Sequence, residues 1–292
     1  AQGGNGMKTL CVDLGGSRVK LALMTADSHP QPDVFEVDSH APLAQTLSLV
    51  AQHAAAWGQP DAVSIALPCV VCRGTVIACN GKYTDAVGFD WARWSQKTFG
   101  APVFLMNDAA AALLGEMRCG NARGFANAAL IALGTGLGFA CCLDGKVQYA
   151  PTGSPRITVY KKPFRDGILE DYVAKRGFLR LYGEITGQDT GPSLTVADLG
   201  RMAGEGNPAA RETFATIGRM LGEALRELIR KERIECLLLG GQISRSYAYL
   251  EPGLRKGLYG TACLRSIAPA AHIGHAAFYG LLARLDGLRP KT

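Results

Sequence analysis

Two aspartates stand at the ends of apolar runs, where a carboxylate can do chemistry. Asp13 follows Thr9-Leu-Cys-Val and runs into Leu14-Gly15-Gly16-Ser17-Arg18; Asp108 follows Val103-Phe-Leu-Met106 and Asn107 and opens an alanine-rich stretch. A carboxylate at the C-terminal end of a strand can take the proton of an attacking hydroxyl, and Asp108 has that location. The same location suits a helix N-cap, and both roles can coexist. Asp13 sits at the mouth of a glycine turn, where a carboxylate repels phosphate unless a cation lies between them. Mg²⁺, held through water, is therefore its expected partner, with a turn residue bonding its own backbone as the alternative.

The glycine turn occurs twice. Asp13-Leu-Gly15-Gly16-Ser17-Arg18 continues into Val19-Lys-Leu-Ala-Leu23, and Leu133-Gly134-Thr135-Gly136-Leu137-Gly138 continues into Phe139-Ala-Cys-Cys-Leu143. Glycine-rich turns offer backbone N–H groups as a concave nest, so a facing pair would hold a polyphosphate from two sides. One copy alone reads as an ordinary β-hairpin; two copies in order point to a nucleotide clamp. P-loops and dinucleotide fingerprints lead from glycine into a helix, whereas apolar strand residues follow here, and no G-x-x-x-x-G-K-[ST] occurs.

The elements that must position these groups read as repeated α/β units. In the first half, Ala62–Leu67 is a buried-strand pattern ended by Pro68, 75–79 and 103–106 are further strands, and 43–57, 89–99 and 109–116 have helical spacing. In the second, helices are expected near 169–182, 195–203 and 208–232. The last carries Phe214, Ile217, Leu221, Leu225 and Leu228 on one face. Cys236-Leu-Leu-Leu-Gly240-Gly241 is a buried strand ending in a glycine pair. Equivalent hairpins about 120 residues apart imply duplicated domains with a cleft and a hinge between them. The expected domains are 7–120, completed by a C-terminal helix at 273–288, and 121–272. Residues 1–6 read as an expression remnant before a native start at Met7.

Composition narrows the function. The 292 residues are 48% hydrophobic in short runs, with nothing near the ~20 apolar residues needed to span a bilayer. The net charge of +6 is scattered, which disfavours nucleic acid as a partner. Its densest group, Arg156, Lys161, Lys162 and Arg165, is either a solvated loop or a contact for an anionic substrate. Nine cysteines with no secretory segment suggest a reducing cytoplasm rather than a disulfide framework. Cys69-x-x-Cys72 lacks the helix a redox motif needs, and His272-x-x-His275 lacks a third metal ligand.

Taken together, Asp13-Leu-Gly-Gly-Ser-Arg18, Asn107-Asp108 with its alanine helix and Gly115-Glu116, Leu133-Gly-Thr-Gly-Leu-Gly138 and Leu239-Gly-Gly-Gln-Ile-Ser244 resemble, in order, the ROK (repressor, ORF, kinase) sugar kinases. The resemblance runs from Met7 onward. It implies two duplicated ribonuclease H-like, actin-like ATPase domains with an interdomain cleft, and ATP-dependent, Mg²⁺-assisted transfer of a phosphoryl group to a hexose or amino sugar. Gly15, Gly16, Ser17 and Arg18 would face the transferred phosphate and Mg²⁺. Gly134, Thr135, Gly136 and Gly138 would hold the nucleotide phosphates, and Gly240 and Gly241 would lie against adenosine. Asn80 and Asn107 would bind sugar hydroxyls, with Asp108 as the base. A cytoplasmic setting follows, and a homodimer is compatible with the reading.

Two departures matter. Where the family has a G-E-I-G-H segment that holds the sugar, this chain has Pro151-Thr-Gly-Ser-Pro-Arg156-Ile-Thr158, with neither Glu nor His. Where the family has a zinc-binding cysteine cluster, Lys161–Ile168 has no cysteine, so no zinc site is expected. A catalytically weak or non-enzymatic sugar sensor is the competing reading, and an activating ATPase of the same superfamily is a third.

Overall fold

The structure is a computed structural model, and it describes residues 6–27, 29–38, 40–79, 81–151, 155–188, 191 and 193–286. In chain order the elements are β1 Thr9–Leu14, β2 Arg18–Met24, β3 Asp33–Glu36, α1 Leu43–Ala54, β4 Ala62–Leu67, β5 Cys69–Cys72, β6 Thr75–Cys79, α2 Trp91–Phe99, β7 Val103–Asn107 and α3 Asp108–Cys119. There follow β8 Ala128–Leu133, β9 Leu137–Leu143, β10 Lys146–Val147, β11 Pro163–Phe164, β12 Gly167–Ile168, α4 Leu169–Val173, α5 Lys175–Thr186 and α6 Val196–Gly204. The chain ends with α7 Pro208–Lys231, β13 Cys236–Gly240, α8 Tyr247–Gly257, β14 Ser266–Pro269 and α9 Ala276–Asp286.

These elements form two compact units. One comprises 1–119, 149–156 and 275–292; the other comprises 120–148 and 157–274. Each holds a five-stranded sheet of the same design, ordered β3-β2-β1-β4-β7 in the first and β10-β9-β8-β13-β14 in the second. The first three strands of each order are antiparallel and the last two join in parallel. The duplicated α/β fold expected from the two hairpins is therefore present.

In the first unit, the aliphatic face of the sheet, with Leu10, Val12, Leu14, Val63, Ile65 and Leu67, packs with Leu43, Leu47 and Val50 of α1. Strand alternation puts the small residues Cys11, Ser64 and Ala66 on the opposite face, and α9 lies against β1 and β4. A Cβ on Gly115 of α3 would fall 1.9 Å from the Ala276 carbonyl oxygen, and one on Gly280 of α9 would fall 1.8 Å from that of Ala111, so the two helices meet backbone to backbone. The second unit repeats the device with α7 and α8, where Gly218, Gly222, Gly253 and Gly257 stand at the crossing.

Three departures from the sequence reading have local causes. Residues 149–156 belong with the first unit, not the second: Tyr149 bridges to Pro155, and its partly exposed phenol feels the charge of Arg284 on α9. The helix expected at 169–182 is broken at extended Ala174, because the Lys175 N–H leaves the helix to donate to the Gly134 carbonyl at 3.0 Å. Cys69 joins Cys79 in a disulfide across the β5–β6 hairpin, where the register sets them directly opposite, whereas Cys72 ends the same strand as a free thiol. The other seven cysteines form no disulfide, and Cys11, Cys141, Cys142 and Cys236 are buried as small core residues. Among the described residues no helix is long and apolar enough to cross a membrane.

Candidate active site

The first glycine turn connects β1 to β2. The Gly15 N–H donates to the Asp13 carbonyl at 3.1 Å, and a Cβ on Gly15 would lie 2.5 Å from the Arg18 carbonyl oxygen, so the turn excludes a side chain there. Gly16 has open space around it. The Ser17 carbonyl accepts from Val37 N–H at 3.1 Å. Arg18 reaches across to Glu36, its register partner on β3, at 3.6 Å. Both side chains are exposed, so this pair adds little stability.

Asp13 is paired inside the hairpin. Lys20 lies opposite it in the register, and its Nζ donates to Asp13 Oδ2 at 2.9 Å with both side chains largely buried. Sequence reasoning passed over Lys20, although counting outward from the Gly15-Gly16 turn would have found it. The turn has a second brace in Tyr83, which is fully buried and donates its hydroxyl to the Gly15 carbonyl at 2.9 Å. Burial, and then the charges of Asp13 and Asp85, push the Tyr83 phenol well above its usual range, so it stays a donor. Nothing in the sequence pattern marks Tyr83.

At the end of β7, Asn107 and Asp108 divide their duties. Asn107 Oδ1 accepts from Ala110 N–H, three residues on, at 3.1 Å, the geometry of a helix N-cap. Its Nδ2 donates to the Cys69 carbonyl at 3.3 Å. Asp108, expected either as cap or as base, is not the cap. Its Oδ1 accepts from its neighbour Ala109 N–H, at 2.7 Å, and not from the residue three on. Burial, reinforced by the nearby negative charge of Asp13, pushes the Asp108 carboxyl up to about 6. A carboxylate so placed is a better proton acceptor than a solvated one and is still ionised at neutral pH.

Those two carboxylates also bear on a metal. The charge of Asp13 makes that of Asp108 more costly, and a dication among phosphate oxygens would relieve it; Asp13, with Lys20 on Oδ2, fits a water-mediated Mg²⁺ contact. Among the described residues no three His, Cys, Asp or Glu side chains converge as a ligand set.

In the second unit the glycine elements are brought together. Gly241 has φ +80° and presses on Leu133: a Cβ there would be 2.2 Å from the Leu133 carbonyl oxygen, so only glycine fits. Gly240 ends β13, and its carbonyl accepts from Ser244 Oγ at 2.5 Å. Across the turn, Gly134 N–H donates to the Gly136 carbonyl at 3.1 Å, Thr135 is its exposed tip and Gly138 already lies in β9 opposite Ala132. Glu170, at the start of α4, accepts from Leu137 N–H at 2.8 Å, and Oε2 stands 2.9 Å from where a Gly136 Cβ would be.

Of the remaining expectations, Asn80 lies outside the described residues. Of the segment 151–158, residues 152–154 lie outside them as well. Three residues of the basic group have separate protein partners: Lys162 Nζ donates to the Ala224 carbonyl of α7, Lys161 covers the Tyr160 ring, and Arg165 packs on Phe164 and Tyr172. Residues 161–168 fold as the β11–β12 hairpin, with Phe164 edge-on to Tyr172 and Arg180 4.4 Å from the Tyr172 ring centroid.

Known proteins carry the same signature. A family model described as ROK family matches residues 9–156. N-acetylgalactosamine kinase AgaK of Shewanella sp. (strain ANA-3) is 28% identical over 258 residues, covering 80% of this chain and 81% of that one. An N-acetylmannosamine kinase of Escherichia coli is 23% identical, with 84% and 86% covered. The structure of a ROK family glucokinase from Streptomyces griseus, in complex with glucose and AMPPNP, superposes with a TM-score of 0.76 over 95% of this chain and 99% of that one, at 22% identity.

Proposed function

The chain belongs to the ROK family and is a carbohydrate kinase, and from that premise we propose that it transfers the γ-phosphate of ATP to a hydroxyl of a hexose or amino sugar. The observation that carries the reading is the division of labour at the head of α3. Asn107 caps the helix, which leaves the Asp108 carboxylate for chemistry, with its proton affinity raised by burial and by Asp13. A sugar hydroxyl is a poor nucleophile, so the reaction depends on holding it in line with the γ-phosphate while a base takes its proton. In this reading Asp108 accepts that proton.

Backbone N–H groups of the turns at Gly15–Arg18 and Gly134–Gly138 hold phosphates, Gly240 and Gly241 approach the nucleoside, and Asn80 contributes to the sugar site. Asn107, whose amide already serves the helix and the Cys69 carbonyl, positions the site more than it grips the sugar. Mg²⁺, when bound, neutralises charge on the phosphates, and Asp13 would hold it through water. The reading carries with it a cytoplasmic setting, no nucleic-acid partner, and a homodimer as a compatible assembly.

The test is sugar-dependent ADP release over hexoses, amino sugars and their N-acetyl forms. Turnover with one or more sugars, lost in Asp108→Asn, supports the proposal. Binding of a sugar by calorimetry with no ADP formed from any acceptor would replace it with the sensor reading.

A further inference from the structure

Ammonium groups taken out of water are normally paired, because an isolated buried ion is costly. Lys82 departs from that rule. Its Nζ is shut off from solvent and donates to no acceptor among the described residues. The Tyr83 ring, with its centroid 5.3 Å away, compensates only weakly. The charge acting on it is that of Asp38, whose carboxylate is exposed, and burial outweighs that help and holds the ammonium's proton affinity below the ordinary lysine value.

The position is anchored. Tyr83, the next residue, is fully buried with its hydroxyl on the Gly15 carbonyl, so the stem of Lys82 starts from a fixed point beside the first glycine turn. Along the chain Lys82 is two residues from Asn80. Asp38 is the charge that acts on Lys82, and Asp13 is the charge that acts on Asp108.

We infer that Lys82 is a specificity-determining residue whose missing partner is a carboxylate carried by the acceptor sugar. The preferred substrate class is then a sugar acid, hexuronic or aldonic, with its carboxylate remote from the hydroxyl that is phosphorylated. A phosphate of the donor nucleotide is the other anion at hand, but it belongs beside Asp13 and Asp108. An N-acetyl carbonyl is a neutral acceptor and leaves the ammonium's charge unbalanced. The inference rests on the kinase reading above.

The experiment compares hexose, hexuronic acid and N-acetylhexosamine in the gluco, galacto and manno series, with aldonic acids added, by ADP release for the wild type, Lys82→Met and Lys82→Arg. Calorimetric binding of the same sugars without nucleotide runs beside it, and melting curves confirm that each variant is folded. In one series the uronic or aldonic acid should exceed its parent hexose in kcat/KM by roughly 10- to 100-fold, the worth of a charge-assisted contact. Lys82→Met should collapse that ratio to about 1 through KM, and Lys82→Arg should keep most of it. A sugar acid no better than its hexose in every series, or a ratio unmoved by Lys82→Met, overturns the inference. So does an N-acetylhexosamine that is preferred and lost in Lys82→Met, because Lys82 then reads a neutral carbonyl. If no acceptor yields ADP, the kinase reading fails instead, and calorimetry still decides whether Lys82 selects the acid.

Discussion

The two sheets share one strand order, yet their glycine turns are furnished differently. The turn of the first unit is lined with ionisable groups: Asp13 paired to Lys20, Asp108 within reach of its field, and a buried Tyr83 holding the Gly15 carbonyl. The second turn is held by backbone and one carboxylate: Gly241 pressed on Leu133, Lys175 N–H on the Gly134 carbonyl, and Glu170 on Leu137 N–H. The two scaffolds are equivalent in strand order, and their side chains set them apart. In the proposed function, proton and metal chemistry falls to the first turn and nucleotide contact to the backbone of the second. Changes to the carboxylates beside the first turn should alter turnover, and changes to the braces of either turn should alter stability and nucleotide affinity.

The sharpest test of that division is Asp108→Asn, for which the largest effect is expected. If Asp108 is the base, kcat should fall by roughly 10²- to 10⁴-fold with ATP affinity little changed. The stability effect should run the other way. A carboxyl raised from 3.8 to about 6 stabilises the fold while protonated and loses that contribution as pH rises through about 6. Asparagine has no charge to bury, so the variant should melt higher than wild type at pH 7 to 8, by of order 2 kcal/mol, and match it near pH 4. Wild-type kcat should in turn decline below about pH 6, not near pH 4. A variant that melts lower at neutral pH and turns over normally would return Asp108 to a structural role.

Gly241→Ala addresses the second unit. Its Cβ would fall 2.2 Å from a backbone oxygen at a φ of +80°, so a loss of about 3 kcal/mol or more is expected in urea unfolding, with KM for ATP raised if the protein folds. Gly16→Ala is the control in the first turn. Nothing lies within 4 Å of the added methyl, and stability should move by less than about 0.5 kcal/mol. Equal losses at the two positions would mean that the turns are braced alike.

Much of this arrangement was legible in the sequence, because glycine turns between apolar runs and the alternation of buried strands are local signals. The strands at 9–14, 62–67 and 103–107, the two hairpins and the alanine helix at 108–119 follow from them. What escaped depends on pairing across distance. Asn107 and Asp108 are equally good capping types, and only the i to i+3 geometry of Ala110 N–H tells them apart. Tyr83 reaches Gly15 over 68 residues with no motif to announce it. The helix α8 carries Pro252 inside it, which hides its period, and the break between α4 and α5 exists because a carbonyl in the glycine turn captures Lys175 N–H.

Tyr83→Phe isolates the brace of the first turn. It leaves the ring in the core and removes one hydroxyl, stranding the Gly15 carbonyl at a cost of about 1 to 2 kcal/mol. If the brace sets the turn for phosphate, KM for ATP should rise severalfold at a nearly constant kcat. Unchanged ATP kinetics with the stability loss intact would make Tyr83 a core residue only.

The corresponding brace of the second turn is Glu170, and here the smallest effect on the kinetics is expected. Its Oε2 accepts from Leu137 N–H at 2.8 Å, and glutamine can offer an acceptor from the same reach, so Glu170→Gln loses only the charge of the bond. That should lower stability by about 1 kcal/mol, whereas Glu170→Ala, which leaves the N–H without its partner, should lower it by about 2. The charge itself has an opposite consequence for the nucleotide. A carboxylate on a turn that holds phosphates repels them, so Glu170→Gln should bind ATP as well as wild type or up to a few-fold more tightly, while kcat stays put because proton transfer belongs to the first unit. Calorimetric titration of ATP into both variants separates the effects. Weaker ATP binding by Glu170→Gln at unchanged stability would mean that the carboxylate serves the nucleotide directly, and the contrast between a reactive first turn and a structural second one would fail.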